Sequence, residues 1–537
     1  MSEPTKLVKA TGAMGLATLG SRVLGLVREI VFAAFLGQTL VASAFFFAFT
    51  IPNLFRRLLG EGALTAAFVP VLSETLSKEG AEPARRVTNV VASALFVVCC
   101  GLCALAILVV LLLRLALPSD ATLQRLHLPS GEELRLILSL TQWMMPYMVF
   151  VCMAALAMAV LNTRGRFFVP AISPVLLNVA MIGSVFVLRP FFGADLEHQV
   201  YALVAGVLFG GLLQWVYQMP TLAREGFRFQ WNFQPRDPVV KRVAELMFPT
   251  VLGVAVFQIN VVTSGALAFF VGDYVRAALN YADRLMELPM GIFGVSVATY
   301  ALPTLSALYA QEKMDDFKQS LSDALRLLWF LTIPAAVGLM VLAEPIIRLL
   351  FERGKFDAVA TGHAAFALLF LAPSLICYST VNVLARAFYA MQDTKTPMKI
   401  GVMSMIVNVF LAAVLMWWLK EGGLALANTL SSAMNALALM TALRRRIGGF
   451  GGRELFASAT RTLFATAIMA GACWAAWRWL GSQRASGFWG SCVQALAPVG
   501  VGVAVYGMVA SLMRAPELKD VLRGLRKGPR TEPRDGR

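Results

Sequence analysis

Apolar runs of about twenty residues, the length a helix needs to cross a ~30 Å hydrocarbon layer, recur along nearly the whole chain. They predict fourteen membrane-spanning helices, at 10–37, 40–64, 87–117, 134–161, 168–190, 199–222, 245–271, 275–306, 320–343, 359–391, 398–418, 423–443, 457–481 and 491–513. The connections are short and polar. The longest, 223–242, leaves no room for a soluble catalytic domain. The end of the chain, 514–537, is basic with Pro and Gly, and predicts a cytoplasmic tail lying near lipid headgroups.

The pattern also repeats. Ala33-Ala34-Phe35-Leu36-Gly37 resembles Ala268-Phe269-Phe270-Val271-Gly272, Phe68-Val69-Pro70 resembles Ala301-Leu302-Pro303, and Leu177-Asn178-Val179 resembles Val407-Asn408-Val409. The members of each pair lie about 230 to 235 residues apart, so the repeat is long and its register nearly constant. Six spans per repeat is an even number, so both halves enter the membrane from one side and the repeat is parallel. The expected fold is therefore all-α and polytopic, with two pseudo-two-fold-related six-helix lobes and two extra C-terminal helices. The domains are an N-lobe at 1–222, a C-lobe at 223–446, helices 13 and 14 at 447–513, and the tail at 514–537.

Composition agrees with this reading: 58% of residues are hydrophobic and 15% charged, against about 25% charged in a soluble domain. The net charge of +16 could suggest nucleic acid. Its distribution argues against that, because the basic residues collect in alternate connections. Lys6 and Lys9, Lys78 with Arg85 and Arg86, Arg164 with Arg166, the 224–242 stretch, Lys313 with Lys318, Lys395 with Lys399, Arg444 to Arg453, and the tail from Arg514 form one set. The other set is sparse: Phe191–Val200 has no Lys or Arg. Such alternation places the rich loops and both termini in the cytoplasm, with anionic phospholipid as their neighbour. The seven cysteines sit in apolar runs, and Cys100-Gly-Leu-Cys103 reads as small apolar side chains rather than a redox motif. The three histidines are scattered, so no metal is expected. The first apolar run is too long for a cleaved signal.

Ionisable residues inside the spans carry the functional information. Arg22 lies ~20 Å along the first helix from Lys9, at 1.5 Å per residue, and Arg28-Glu29 follows it. Arg284 lies ~16 Å beyond Asp273 on the same reckoning, within Asp283-Arg284-Leu285-Met286-Glu287. Arg56 and Arg57 close the second helix. The structural alternatives are ion pairs: Arg22 with Glu29 through an intermediate, and Arg284 with Glu287 three residues on. Arg22, Arg28 and Arg284 fit a cavity lining better, because positive charge is brought to similar depth in unrelated spans. Guanidinium suits an anionic substrate, phosphate above all, since it forms forked hydrogen bonds and keeps its charge when desolvated. No phosphate-binding Gly-rich loop ending in Lys-Ser/Thr is present, so ATP-driven pumping is unsupported.

These motifs carry a resemblance. Ser21-Arg22-Val23-Leu24-Gly25-Leu26-Val27-Arg28-Glu29, Ala44-Phe45-Phe46, Ile51-Pro52-Asn53-Leu54-Phe55-Arg56-Arg57, Glu61-Gly62-Ala63, Tyr281-Ala282-Asp283-Arg284, Gly354-Lys355-Phe356 and Gln392-Asp393-Thr394-Lys395-Thr396-Pro397 are similar to those of the bacterial lipid II flippase family (MurJ, or MviN). That family belongs to the multidrug/oligosaccharidyl-lipid/polysaccharide exporter superfamily. The resemblance spans nearly the whole chain. It implies two lobes around a central cavity, a lipid-tail groove on helices 13 and 14, and residence in the bacterial inner membrane. The implied substrate is lipid II, moved between leaflets by alternating access without bond chemistry, with cell-wall synthesis proteins as further partners. Arg22, Arg28, Arg56 and Arg284 match the family's cavity arginines. Glu29, Glu61, Asp283 and Glu287 are the expected supporting or gating groups. No cofactor is implied; the membrane potential, a monovalent cation gradient or neither remains open for coupling. One departure stands out: Ser43 occupies a position where the family often has an acidic residue. Two competing readings are weaker. One is export of drugs or of another polysaccharide-lipid, of which hydrophobic cations would favour cavity carboxylates; the other, a membrane-embedded glycosyltransferase or polymerase, would need catalytic spacing that the outer connections do not offer.

Overall fold

The computed structural model describes residues 3–125, 129–482, 487–519 and 521; the side chains of 3–19 and of a few helical positions, Glu61 among them, lie outside the described set. His127 and most of the expected tail, 522–537, lie outside it as well. Among the described residues there are no strands. The helices are α1 (Glu3–Leu36), α2 (Leu40–Phe55), α3 (Ala63–Lys78), α4 (Ala81–Leu115), α5 (Asp120–Arg125), α6 (Gly131–Met144), α7 (Tyr147–Thr163), α8 (Phe168–Val187), α9 (Leu196–Val216), α10 (Met219–Arg224) and α11 (Pro238–Val271). They continue with α12 (Val275–Pro289), α13 (Val295–Ala310), α14 (Met314–Val341), α15 (Ala343–Phe351), α16 (Ala358–Leu371), α17 (Ser374–Ala390), α18 (Lys395–Ile447), α19 (Gly452–Ser482) and α20 (Phe488–Leu512).

Among the described residues, ten helices are long and apolar enough to cross a membrane, or eleven if α16 and α17, bent by 41°, form one span. Fourteen were expected, and the difference has local causes. α18 holds two expected spans in one assignment, broken at Lys420 (φ 48°, ψ −126°). α1 has its side chains described only from Gly20 onward, so it stands outside that count. The second expected span is divided into α2 and α3 by a π-helical turn at Arg56–Gly62. A second π turn, Met290–Gly294, divides α12 from α13. The two turns lie about 232 to 234 residues apart, the register of the sequence repeat, so the repeat is visible as backbone geometry.

Lipid-facing surface is recognisable by large exposed apolar side chains. Leu105, Leu108, Leu112 and Leu115 point outward from α4, whose most apolar window is only 22% buried. In water such a stripe would be an association surface; against acyl chains it costs nothing.

The chain packs as two compact units. The first comprises 1–277 together with 353–357. Its core joins Leu64, Phe68 and Leu72 of α3 to Met148, Cys152 and Leu161 of α7, with Val91 and Leu95 of α4. α1 packs on α8, α8 on α9, and α11 on α3. The second unit comprises 278–352 and 358–537. Its core is built from Leu305, Phe317, Leu321, Leu325, Leu384 and Phe388. There α13 packs on α14 and α17, α17 on α18, and the C-terminal pair α19–α20 packs on α14 through α19.

The inserted segment 353–357 explains one sequence motif. The Lys355 amide donates to the Ala34 carbonyl at 2.9 Å. Gly354 (φ +62°) lies so close to Ala34 that a Cβ there would collide with its carbonyl oxygen, and Gly37 (φ +65°) faces Lys355 in the same way. Phe356 fills the space beside them and is fully buried.

Candidate functional site

In the first unit the arginines separate by environment. Arg22 is exposed on α1. Arg28, on the same helix, is only 9% exposed. Its Nη2 donates to Glu29 Oε1 at 2.5 Å and its Nη1 to Asn178 Oδ1 at 3.0 Å. Asn178 also donates through Nδ2 to the Ser21 carbonyl at 3.4 Å, and the Phe32 ring lies 5.7 Å from the guanidinium. Glu29 is 1% exposed. Glu29 thus pairs with its neighbour Arg28, where the structural alternative weighed from sequence was a link to Arg22. An arginine at a helix centre in lipid costs ~2.5–3.5 kcal/mol on insertion scales. The carboxylate and the amide offset that cost and fix the plane of the guanidinium. Its Nε is buried with no hydrogen-bond acceptor among the described atoms.

Arg56 opens the π turn, and its Nε donates to Asn53 Oδ1 at 2.7 Å. The backbone of Glu61 belongs to the same turn, while its side chain is outside the described set. Ser43 is fully buried, and its hydroxyl accepts from the Ala277 amide at 3.1 Å. The first amides of a helix have no partner within it, so Ser43 caps the start of α12 from another helix. The departure from the family's acidic residue therefore keeps a hydrogen-bond acceptor and drops a charge.

In the second unit, Arg284 Nη1 donates to Glu287 Oε2 at 2.8 Å, with about a third of the arginine and half of the glutamate side chain exposed. Asp283 is half-buried. So Arg22, Arg28 and Arg56 belong to the first unit by packing, and Asp283, Arg284 and Glu287 to the second. Among the described residues, no three His, Cys, Asp or Glu side chains are grouped to hold a metal ion.

Two residues were missed from sequence. Asn178 had already surfaced in the repeat, where its counterpart Asn408 is buried too and donates to Ser431 Oγ at 3.1 Å. A polar residue kept in both copies of an apolar span was the available signal. Arg276, about two turns before Arg284, is half-buried, and its Nη2 donates to Thr50 Oγ1 at 3.1 Å. The Gln392–Pro397 motif, by contrast, proves architectural. The Asp393 carboxylate accepts from the Lys395 and Thr396 amides at 3.1 and 3.0 Å and from Thr396 Oγ1 at 2.7 Å. It also pairs with Arg446, at the far end of α18. Burial pushes its pKa up, but the bonds from Thr396 and Arg446 outweigh that and hold it below the usual carboxylate range.

Comparison with known proteins places this arrangement. The family profile described as lipid II flippase MurJ matches residues 32–487. The "Probable lipid II flippase MurJ" of Vibrio cholerae is 35% identical over 524 residues, covering 96% of this chain and 98% of that protein. A solved lipid II flippase MurJ in an inward closed conformation superposes with a TM-score of 0.73 at 25% identity, covering 95% of this chain and 99% of the other. An inward-facing multidrug resistance MATE family transporter of the MOP superfamily matches in fold, with a TM-score of 0.62 at 16% identity over 80% of this chain and 94% of the other. With a family profile matching most of the chain and a relative of nearly equal length spanning it, the chain belongs to the lipid II flippase MurJ family.

Proposed function

We propose that this protein carries lipid II from the cytoplasmic to the periplasmic leaflet of the bacterial inner membrane. The reading rests on family membership, and one observation deepens it. Arg28, buried in an apolar helix, is held by Asn178 and Glu29 with its guanidinium plane fixed and its charge intact. A fixed guanidinium is prepared to meet phosphate oxygens, whose own charge is set by the substrate rather than by the pH of the cavity. Arg22 and Arg284, both accessible, supply further positive charge, and Arg56 guides the headgroup in. Exchange of the two lobes between inward- and outward-open arrangements moves the headgroup across, and no bond is made or broken. The alternation of basic loops supports cytoplasmic termini.

The test is periplasmic exposure of lipid II in cells depleted of this protein, read with a probe that cleaves only externally displayed headgroups. Exposure should fall on depletion and return with the wild type. It should stay low with Arg22→Ala, at an exposed position, and with Arg284→Ala, where about a third of the side chain is exposed. Full recovery by both variants would remove those arginines from the mechanism. Unchanged exposure on depletion, in a strain with no second flippase, would remove the substrate.

A further inference from the structure

A pocket of about 450 Å³ opens on the first unit where α7 gives way to α8. Its wall holds Arg166, Phe167 and Phe168 from the turn and start of α8, and Thr221, Arg224 and Glu225 from the end of α10. Glu225 accepts from Arg166 Nε at 2.6 Å and lies 3.4 Å from Arg164 Nε. The Arg166 bond holds the Glu225 carboxyl below its ordinary range, so it stays charged. One carboxylate thus meets two guanidiniums, and among the described residues Arg224, exposed on the same pocket wall, has no carboxylate partner.

The surroundings set the depth of the pocket relative to a bilayer. Immediately after it, the chain runs as an extended strap along α4, where the Gln230 and Asn232 amides donate to Asn89 Oδ1 and Ser93 Oγ at 3.1 and 2.9 Å. The strap displays Phe229, Trp231 and Phe233, all exposed, with Trp231 edge-on to Phe96 of α4. Phe168, at the mouth of the pocket, is exposed as well. An exposed Trp beside arginines marks the headgroup level of a membrane protein.

We propose that this pocket binds the phosphodiester headgroup of an anionic phospholipid. Arg224 and Arg166 would contact the phosphate, and Phe168 would lie along the upper acyl chain. Two features argue for a lipid over a free anion. The pocket opens beside an apolar aromatic rather than into a wholly polar cleft, and its net charge is positive where anionic lipid is concentrated. The site is separate from the substrate arginines, so it stands or falls independently of the transport reading.

The test uses the full-length protein in a neutral detergent, with lipid adducts counted by native mass spectrometry. Phosphatidylglycerol should bind in preference to phosphatidylcholine. Arg224→Gln should weaken that binding about five-fold, the effect of one basic residue near an anionic surface. Arg224→Lys should retain most of it. Glu225→Gln should strengthen binding by removing the competing carboxylate, a change of sign that general misfolding would not produce. Equal binding of the two lipids, or no effect of Arg224→Gln, would overturn the proposal. Inorganic phosphate displacing phosphatidylglycerol at equal concentration would show a soluble-anion site and overturn the lipid assignment.

Discussion

At the residue scale, Ser43 shows how a position can lose a charge and keep a task. Its hydroxyl serves a buried amide at the start of α12, and the bond needs an acceptor of any charge. Ser43→Ala should lower stability by about 1–2 kcal/mol, the cost of a lost cap or an unsatisfied buried amide. Ser43→Asp should retain stability, since a carboxylate at a helix start is also favoured. Thermal unfolding of the purified variants distinguishes the two, and equal losses in both would mean that shape rather than hydrogen bonding decides at this site. Arg28 is the converse case. Replacing it alone would break a buried charge pair with Glu29, at a cost of about 3–5 kcal/mol, so the exposed Arg22 and the partly exposed Arg284 give the clearer functional test. The sequence marked every one of these charges, because a charge in an apolar run is conspicuous. It could not assign their partners. Arg28 meets Asn178 and Ser43 meets Ala277 across stretches of chain that no local spacing connects.

At the element scale, the period of the apolar runs located the spans, because burial in lipid demands a continuous length that few other structures need. Interruptions within those runs were harder to see. The π turns at Arg56–Gly62 and Met290–Gly294 share Gly and a nearby Pro but not the charges, which only the first carries, and their matching register emerges only from backbone geometry. Single-turn π segments often mark functional positions in helices, and here both halves have one. The loop leading into α18 is a different kind of element signal. Its Asp393 was noticed as part of a motif, yet its work is to fix a helix start and hold Arg446. A carboxyl whose native pKa is depressed stabilises the fold above its unfolded pKa, and that contribution is lost as pH falls through the native value. Unfolding of the wild type should therefore become easier below about pH 4, the ordinary aspartate range. Asp393→Asn should start less stable and lose less over the same interval. Parallel pH profiles for the two proteins would remove Asp393 from the acid response.

At the scale of the whole molecule, the repeat and the packing units divide the chain differently. The repeat has its period written in the sequence. The units are defined by contacts, and the insertion of 353–357 into the first unit could not be read from the Gly354-Lys355-Phe356 motif alone. The glycines there are required by close approach as well as by backbone angle. Gly354→Ala places a methyl group against the Ala34 carbonyl at a positive φ, where an L residue costs ~1–2 kcal/mol before any collision. The variant should show a lower unfolding temperature in detergent, whereas Gly80→Ala, with open space around it but the same sign of φ, should pay the conformational cost alone. Equal shifts would mean that the contact with Ala34 contributes nothing.

That insertion also has a consequence for the order in which the protein is made. Residues 1–277 leave the ribosome first, and the carbonyl of Ala34 then lacks the amide of Lys355 that it accepts in the finished fold. Another seventy-odd residues, beginning the second unit, must be synthesised before 353–357 arrives. The early half is therefore completed by the late one, and a chain that stalls before residue 357 carries an unfinished first unit however well its earlier helices have entered the membrane.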